Sequence, residues 1–388
     1  MNSGVLLKFP GPQRNVALGA PVRVRPLVED DLEPLAELFL QRFRASRRRP
    51  REKAELAECM KALYLDHPTR DDAADALVAV DAAGAIAAFC GGVRVPFQLD
   101  GEPLTACVTG TLMASTAPGH ALAAVQILRE SRKLDYDLIV TDSANRASLA
   151  MCQAMGYQIA SPDSLEWACV FEPSSLALHK ARQRLSGRWL GALKPFARAV
   201  DLAAAAALRA AEGPPKRSDW RDEPVDAETF LDIAPQFWKP FRLRPAFARS
   251  ELAWVIAMAR QRRSAGPLHL SVLYDGAGAP TGAYAAFGAK GDVARVIHAA
   301  AAPHAWSRLF DKMRESARMR GCIGAHGSLK RQMIAQAYAT RGVFFYYAGG
   351  TLAYSNRADV RRAIENGDAF LGGFAGDRWT RLASDSFG

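Results

Sequence analysis

Apolar and polar residues alternate with period two from Val22 to Pro26, which predicts a strand. Glu29, Asp30 and Asp31 follow, and apolar positions then recur at helical spacing from Leu32 to Arg44. Carboxylates at that end complement a helix dipole, so a helix is predicted there. A second helix is predicted over Lys53–Leu65. Ala76–Asp81 and Ala85–Val95 read as strands around the turn Ala82–Gly84, and Asp100–Gly101 turns into a strand at Leu104–Met113. The period then changes. Leu122, Val125 and Leu128 recur every three residues, with Arg129, Arg132 and Lys133 toward the C-terminal end, the pattern of an amphipathic helix. Leu138–Val140 is a short apolar strand. Leu149, Cys152 and Met155 form the stripe of a helix that stops at Gly156, and Glu166–Phe171 is expected to close a first sheet. Helices that connect strands can make them parallel neighbours, so the sheet should be mixed.

The second half repeats this order. A helix is predicted over Ser250–Arg260. Strands follow at Leu268–Tyr274, Thr281–Phe287 and Val293–Ala300, with turns at Asp275–Gly276 and Lys290–Asp292. Then come a helix at His304–Arg318, a strand at Cys322–His326, a helix at Lys330–Thr340 and strands from Val343 to Tyr354. Between the halves, Pro173–Asp222 shifts in composition. Arg182, Arg184, Arg188, Lys194 and Arg198 punctuate it, Leu202–Ala211 is Ala-rich, and Gly213–Pro215 breaks any helix. The expected division is therefore an N-terminal domain at 1–172, a basic helical connector at 173–222 and a C-terminal domain at 223–388. Trp189, Leu190, Leu193 and Phe196 lie beside cations in the connector, so it reads either as packed against a domain or as a peripheral membrane-surface helix.

The length of 388 residues fits two domains, and 49% hydrophobic with 23% charged residues is a soluble globular composition. No charge-free apolar run reaches about 18 residues, so no transmembrane helix is expected. The apolar run near Met1 is too short for a secretory signal. Cys59, Cys90, Cys107, Cys152, Cys169 and Cys322 are scattered singly. That usage predicts reduced thiols in a cytoplasmic protein and no metal site. The formal charge of +10 comes partly from Arg42–Arg51 and Lys180–Arg198. It suits coenzyme A, nucleic acid, anionic lipid or acidic glycans, or is a solvated face with no specific partner; no nucleic-acid module is visible.

Two stretches point to chemistry. Ser115–Leu122 is a small-residue turn after a strand and before a helix, where backbone N–H groups and a dipole end can hold a pyrophosphate. Asn145–Tyr157 is a short helix ending in Gly-aromatic. On these residues the chain resembles the GNAT superfamily of acyl-CoA-dependent N-acyltransferases over roughly residues 20 to 172. The family's pyrophosphate loop reads Arg/Gln-x-x-Gly-x-Gly/Ala. Gly119 and Ala121 match it, and Thr116 stands where Arg or Gln would. In the second signature Asn145, Gly156 and Tyr157 fall on the family spacing, and Cys152 takes the place of the Tyr.

The resemblance implies an α/β (α+β) fold of two GNAT-like domains, each with a mixed, largely antiparallel sheet flanked by helices. It implies acetyl-CoA or another acyl-CoA as co-substrate. The phosphates and pantetheine would meet Leu112, Met113, Ala114, Thr116, Pro118, Gly119, His120, Ala121, Leu122 and Asn145. N-acyl transfer also needs an amine deprotonated and a thiolate protonated. Cys152 and Tyr157 are the candidate acids, although Cys152 lies on an apolar stripe where a thiol is usually inert. Asp142, ending a strand beside the cleft, is the candidate base; His120 reads better as a phosphate contact.

The second copy differs where chemistry would sit. Ala301–Trp306 has no Gly, and bulky Trp306 stands at the helix entrance, while Tyr338 precedes Gly342 at the family's acid-Tyr spacing. His298 and His326 read as core-edge residues. Arg249–Trp254 and the Gly-rich Gly367–Trp379 resemble tandem GNAT-like proteins linked to bacterial envelope polysaccharides, so the acceptor expected is a small-molecule or glycan-precursor amine. Two rivals stand beside this reading: a degenerate, non-catalytic assembly protein, and an aminoacyl-tRNA-dependent envelope-precursor transferase.

Overall fold

The computed structural model describes residues 22–43, 50–70, 75–160, 164–184, 193, 195–201, 203, 219–347 and 349–383. The basic run 44–49, Trp189, Leu190, the Ala-rich stretch 204–211 and Gly213–Pro215 lie outside them. Two sheets carry the fold. The first is built from β1 (Arg23–Pro26), β2 (Leu77–Val80), β3 (Ile86–Leu99), β4 (Glu102–Ala114), β5 (Leu138–Ala144) and β6 (Gln158–Ile159). The second contains β7 (Leu165–Val170), β8 (Arg221–Pro224), β10 (Leu268–Tyr274), β11 (Pro280–Phe287), β12 (Val293–Ala301), β13 (Gly324–Ser328) and β14 (Val343–Tyr347). The short β9 (Leu243–Pro245) pairs with β3, and β15 (Gly350–Tyr354) joins the first sheet.

Each sheet is antiparallel except for one parallel pair, β4–β5 in the first and β12–β13 in the second. Both are mixed, largely antiparallel sheets flanked by helices, as expected. The strand order differs from expectation in one respect. The first sheet runs β1-β2-β3-β4-β5-β15-β6 and the second β14-β7-β13-β12-β11-β10-β8. Glu166–Phe171 therefore does not close the first sheet: β7 lies between β13 and β14, and β15 from the second half lies between β5 and β6. The halves exchange strands. Side-chain fit accounts for the exchange. Trp167 of β7 meets Phe310 edge-on at 5.0 Å inside the second half's core, while Leu352 and Ala353 of β15 are fully buried, as a central strand requires.

Helices α1 (Leu32–Phe43) and α2 (Pro50–Tyr64) cover one face of the first sheet, and α3 (Ala123–Ser131) and α4 (Arg146–Ala154) lie on the other. Asp31 fixes the entry to α1: it takes a bidentate pair from Arg25 at 2.6 and 2.7 Å and accepts Val28 N–H at 3.0 Å. The core beneath α1 and α2 is continuous with the inner face of the second sheet. Leu35, Phe39 and Met60 belong to the same cluster as Val272, Phe287, Phe370 and Phe374. The outer face of the second sheet packs on the helix Trp306–Met319 through Leu309, Phe310 and Met313. Trp306 is thus a core residue, 2% exposed, where the first half has its small-residue turn. The two halves share one interior, and the C-terminal segment Phe370–Leu382 runs through it.

Candidate active-site cleft

β4 and β5 pair in parallel only at Ala106–Val108 with Leu138–Val140. Beyond that point a cleft of ≈ 230 Å³ opens between Thr109–Leu112 and Thr141–Asn145. The register of β3 on β4 shifts between Phe89 and Gly91, and Thr111 takes φ 56°. A β-branched residue in that left-handed region is strained by about 1–3 kcal/mol, so neighbouring contacts must hold it. One is the hydrogen bond from the Tyr64 hydroxyl to Thr111 Oγ1 at 3.1 Å. On the α3–α4 side the cleft is lined by Cys90, Leu112, Leu128, Ser148 and Cys152, and on the α1 side by Phe39, Phe43 and Leu382.

The turn Ser115–Leu122 lies after β4, at the entrance to α3. Gly119 has φ 89°, which any side chain would resist. Thr116, Pro118, Gly119, Ala121 and Leu122 are exposed, and Leu122 at the N-cap offers no side-chain acceptor to the first turn of α3. These features fit an anion held by backbone groups. Leu112 lines the cleft, whereas the Met113 side chain is buried in the core on the α1 side and Ala114 packs on the α3 side. His120 finds its partner inside the protein. It is buried, with Nε2 3.2 Å from Asp81 Oδ2, and ties the turn to the end of β2. Asn145 lines the cleft and caps α4, accepting Ala147 N–H at 3.0 Å and Ser148 N–H at 3.1 Å.

The three residues assigned chemistry from sequence sit in different environments. Cys152 lines the cleft, but burial pushes its thiol up to about 11. Tyr157 is not in the cleft lining. The chain turns at Gly156 (φ 86°) and seats Tyr157 in the core beside Tyr354, ring centroids 5.3 Å apart. The Asp142 carboxylate is turned away from the cleft and holds the C-terminal segment: Oδ1 accepts Asp377 N–H at 2.7 Å and Arg378 N–H at 3.3 Å. In return Asp142 N–H donates to Asp377 Oδ1 at 3.1 Å. In the second half, Tyr338 is 83% exposed and His298 is buried among Phe230, Trp238 and Phe374. His326 is half-buried in a cluster with Glu166 and Tyr346.

A cleft residue that the sequence motifs did not point to is Asp377. It lines the cleft, accepts the Ser143 hydroxyl on Oδ2, and comes from the C-terminal segment. Burial, with Asp142 beside it, pushes its carboxyl well above the usual carboxylate range. Two close approaches allow it in. A Cβ on Gly376 would overlap the Asp142 carboxylate, and one on Gly110 would stand 2.8 Å from Asp377 Oδ2. Arg378 completes the anchor through the Asp142 carbonyl and the Glu166 carboxylate of β7. Burial alone would raise the Glu166 pKa; the His326 hydrogen bond and the Arg378 charge hold it down at about 2. The only sequence signal for Asp377 was the Gly-rich tail around it.

A splayed parallel pair, a glycine turn before a helix and flanking helices on both faces define a known architecture. The fold is that of the GCN5-related N-acetyltransferases. An acetyltransferase of that kind from Anabaena variabilis superposes with a TM-score of 0.53 at 10% identity, covering 86% of this chain and 73% of its own. A probable N-acyltransferase from Enterococcus faecalis gives 0.52 at 8% identity, covering 86% and 72%. A GCN5-related N-acetyltransferase from Kribbella flavida gives 0.50 at 11%, covering 88% and 72%. No family model and no curated protein matches the sequence. Among the described residues no group of His, Cys, Asp and Glu is arranged to hold a metal ion, and no helix is long and apolar enough to cross a membrane.

Proposed function

We propose that the chain transfers a short acyl group, acetyl, from acyl-CoA to an amine in the β4–β5 cleft. The observation that carries this reading is the Asp377–Ser143 pair at the splay. The turn at Pro118–Leu122 and the start of α3 hold the pyrophosphate through backbone N–H groups. Pantetheine lies along Thr109–Leu112, under Asn145 and Ser148. The amine meets the thioester at the splay, beside Asp377.

The amine nitrogen attacks the thioester carbonyl carbon to give a tetrahedral intermediate. Asp377 takes the proton that the nitrogen loses. The C–S bond then breaks, and the proton passes through the Ser143 hydroxyl to the departing CoA thiolate. The proton lost by nitrogen is the one gained by sulfur, so protons and charge balance with no further reactant. Cys152, protonated at neutral pH and on the cleft wall, is a packing residue in this scheme.

Acetyl is favoured by the small size of a pouch beside the cleft. A cavity of only ≈ 10 Å³ shares Gly110, Thr111 and Asp377 with the cleft and is closed by Val93, Val108 and Trp379. A site for one water needs about 10–15 Å³ by the same measure, so the pouch suits a methyl group. The six free, buried cysteines support a reducing, cytoplasmic setting.

Calorimetric titration of acetyl-CoA into the wild type and Gly119→Trp tests the cofactor half of the proposal. One site in the wild type, lost in the variant, is expected. Absence of wild-type binding would overturn it and favour a non-catalytic protein. CoA release across acetyl-, butyryl- and hexanoyl-CoA tests the acyl length, with the rate expected to fall beyond acetyl.

A further inference from the structure

The strand paths of the two sheets end in four outer edges among the described residues, β1 and β6 in the first, β8 and β14 in the second; the three-residue β9, off the path on β3, reads Leu-Arg-Pro. Three are blunted against further pairing. β1 reads Arg-Val-Arg-Pro and β8 reads Arg-Asp-Glu-Pro, and charge with proline discourages an added strand. β6 is two residues long. β14 is different. It reads Val-Phe-Phe-Tyr-Tyr, pairs on one side with β7, and carries neither charge nor proline. Phe344 is 59% exposed, and Phe345, Tyr346 and Tyr347 are all exposed beside it. Alternate residues of such an edge turn N–H and C=O groups outward, ready to pair.

This edge leads to the cleft. Gly349 lies against Ala144, whose carbonyl oxygen would be 3.0 Å from a Cβ there, and the Tyr347 hydroxyl reaches Gly350 beside Leu149 of α4. Ala144 lines the cleft with Ser143. Exposed Arg341 precedes the strand, and exposed Arg146 acts electrostatically on Tyr347 at its other end.

We propose that β14 docks the acceptor, an acidic polypeptide that adds as an antiparallel strand and presents its N-terminal amine to the cleft. This rests on the acyltransfer reading above. Direction follows from chain polarity: β14 ends beside α4, whose Ser148 and Cys152 line the cleft, so an antiparallel partner begins there. Specificity would come from the aromatic side chains, and affinity from main-chain pairing. The flanking arginines favour acidic side chains.

The test uses the full chain, acetyl-CoA and a library of decapeptides rich in Asp and Glu, with free or blocked N-termini, and glycinamide as a small amine. The wild type is expected to acetylate free α-amines, and hydrogen exchange of β14 amides is expected to slow when the library is added. A Phe344→Lys, Phe345→Lys double variant, blunted as the other edges are, should raise the peptide KM by about 30-fold or more while its rate on glycinamide stays within about 3-fold. The proposal fails if the variant treats peptides and glycinamide alike, if acetyl groups appear on lysine side chains only, or if light scattering shows a wild-type dimer that the variant dissociates, a second copy then being the occupant. CoA binding without release to any amine would sink the acyltransfer reading instead. The exchange experiment still decides the edge in that case: unchanged β14 amides would overturn the docking proposal.

Discussion

At the scale of single residues, Asp377 is the group on which the proposed chemistry turns. A positioned base contributes about 10²–10⁴ to rate, so Asp377→Asn should lower kcat by about 100-fold or more with acetyl-CoA affinity unchanged by calorimetry. A base must be ionised, and the Asp377 pKa is raised. The wild-type kcat/KM should therefore rise with pH through that raised value and then level, while the residual rate of the variant stays flat. The stability effect has the opposite sense. A raised folded pKa gives stability that is present at low pH and is lost as pH rises through it. Calorimetry at pH 8 should thus find the Tm of Asp377→Asn no lower than that of the wild type. Cys152→Ser tests the thiol: a rate within about 3-fold of wild type is expected for a packing role, and a 100-fold loss would restore it as an acid. The sequence pointed to Cys152 because it stands at a family position. It could not point to Asp377, which lies 235 positions from the Asp142 that binds it.

At the scale of elements, the turn before α3 and the stop of α4 at Gly156 are local features, and both were legible; the Asn145 cap was not read from the sequence. Gly119 is needed for its φ of 89°, and Asn145 caps the next helix. Losing an Asn cap costs about 1 kcal/mol, so Asn145→Ala should lower stability by that much in urea unfolding. The direction of His120 was not legible, since its partner Asp81 lies across a sheet. Gly376→Ala probes the C-terminal segment. The added Cβ would overlap the Asp142 carboxylate and displace Asp377, so Tm and kcat should fall together. Activity retained at full stability would show that Asp377 does not need its present seat.

At the scale of the molecule, the exchange of β7 and β15 makes the halves interdependent. A fragment of residues 1–222 would lack β15 between β5 and β6, and would lack Asp377. It should fail to bind acetyl-CoA and should aggregate on expression; a soluble fragment with full binding would overturn this. The buried pair Arg378–Glu166 joins the C-terminal segment to the second sheet. The folded Glu166 pKa is about 2 against an ordinary value of 4.5. The stability it adds is present above about pH 4.5 and is lost as pH falls toward 2, a term of roughly 3 kcal/mol. Glu166→Gln should remove this acid-dependent step from urea melts at pH 3 and pH 7. It should also lower stability at pH 7, because Arg378 is left buried beside an uncharged partner.

The sequence by itself determined the main strands and helices of the two halves, mixed sheets expected from the helical crossovers, the glycine turn and the repeated order of the two halves. These follow from hydrophobic period, turn chemistry and caps, which act over a few residues. Only the tertiary structure decided which sheet β7 and β15 join, which way Asp142 and His120 face, and which carboxylate reaches the cleft. Strand partners are chosen by side-chain fit across a shared core, and a pKa is set by whatever the fold brings beside it. Neither quantity is a property of neighbouring positions in the chain.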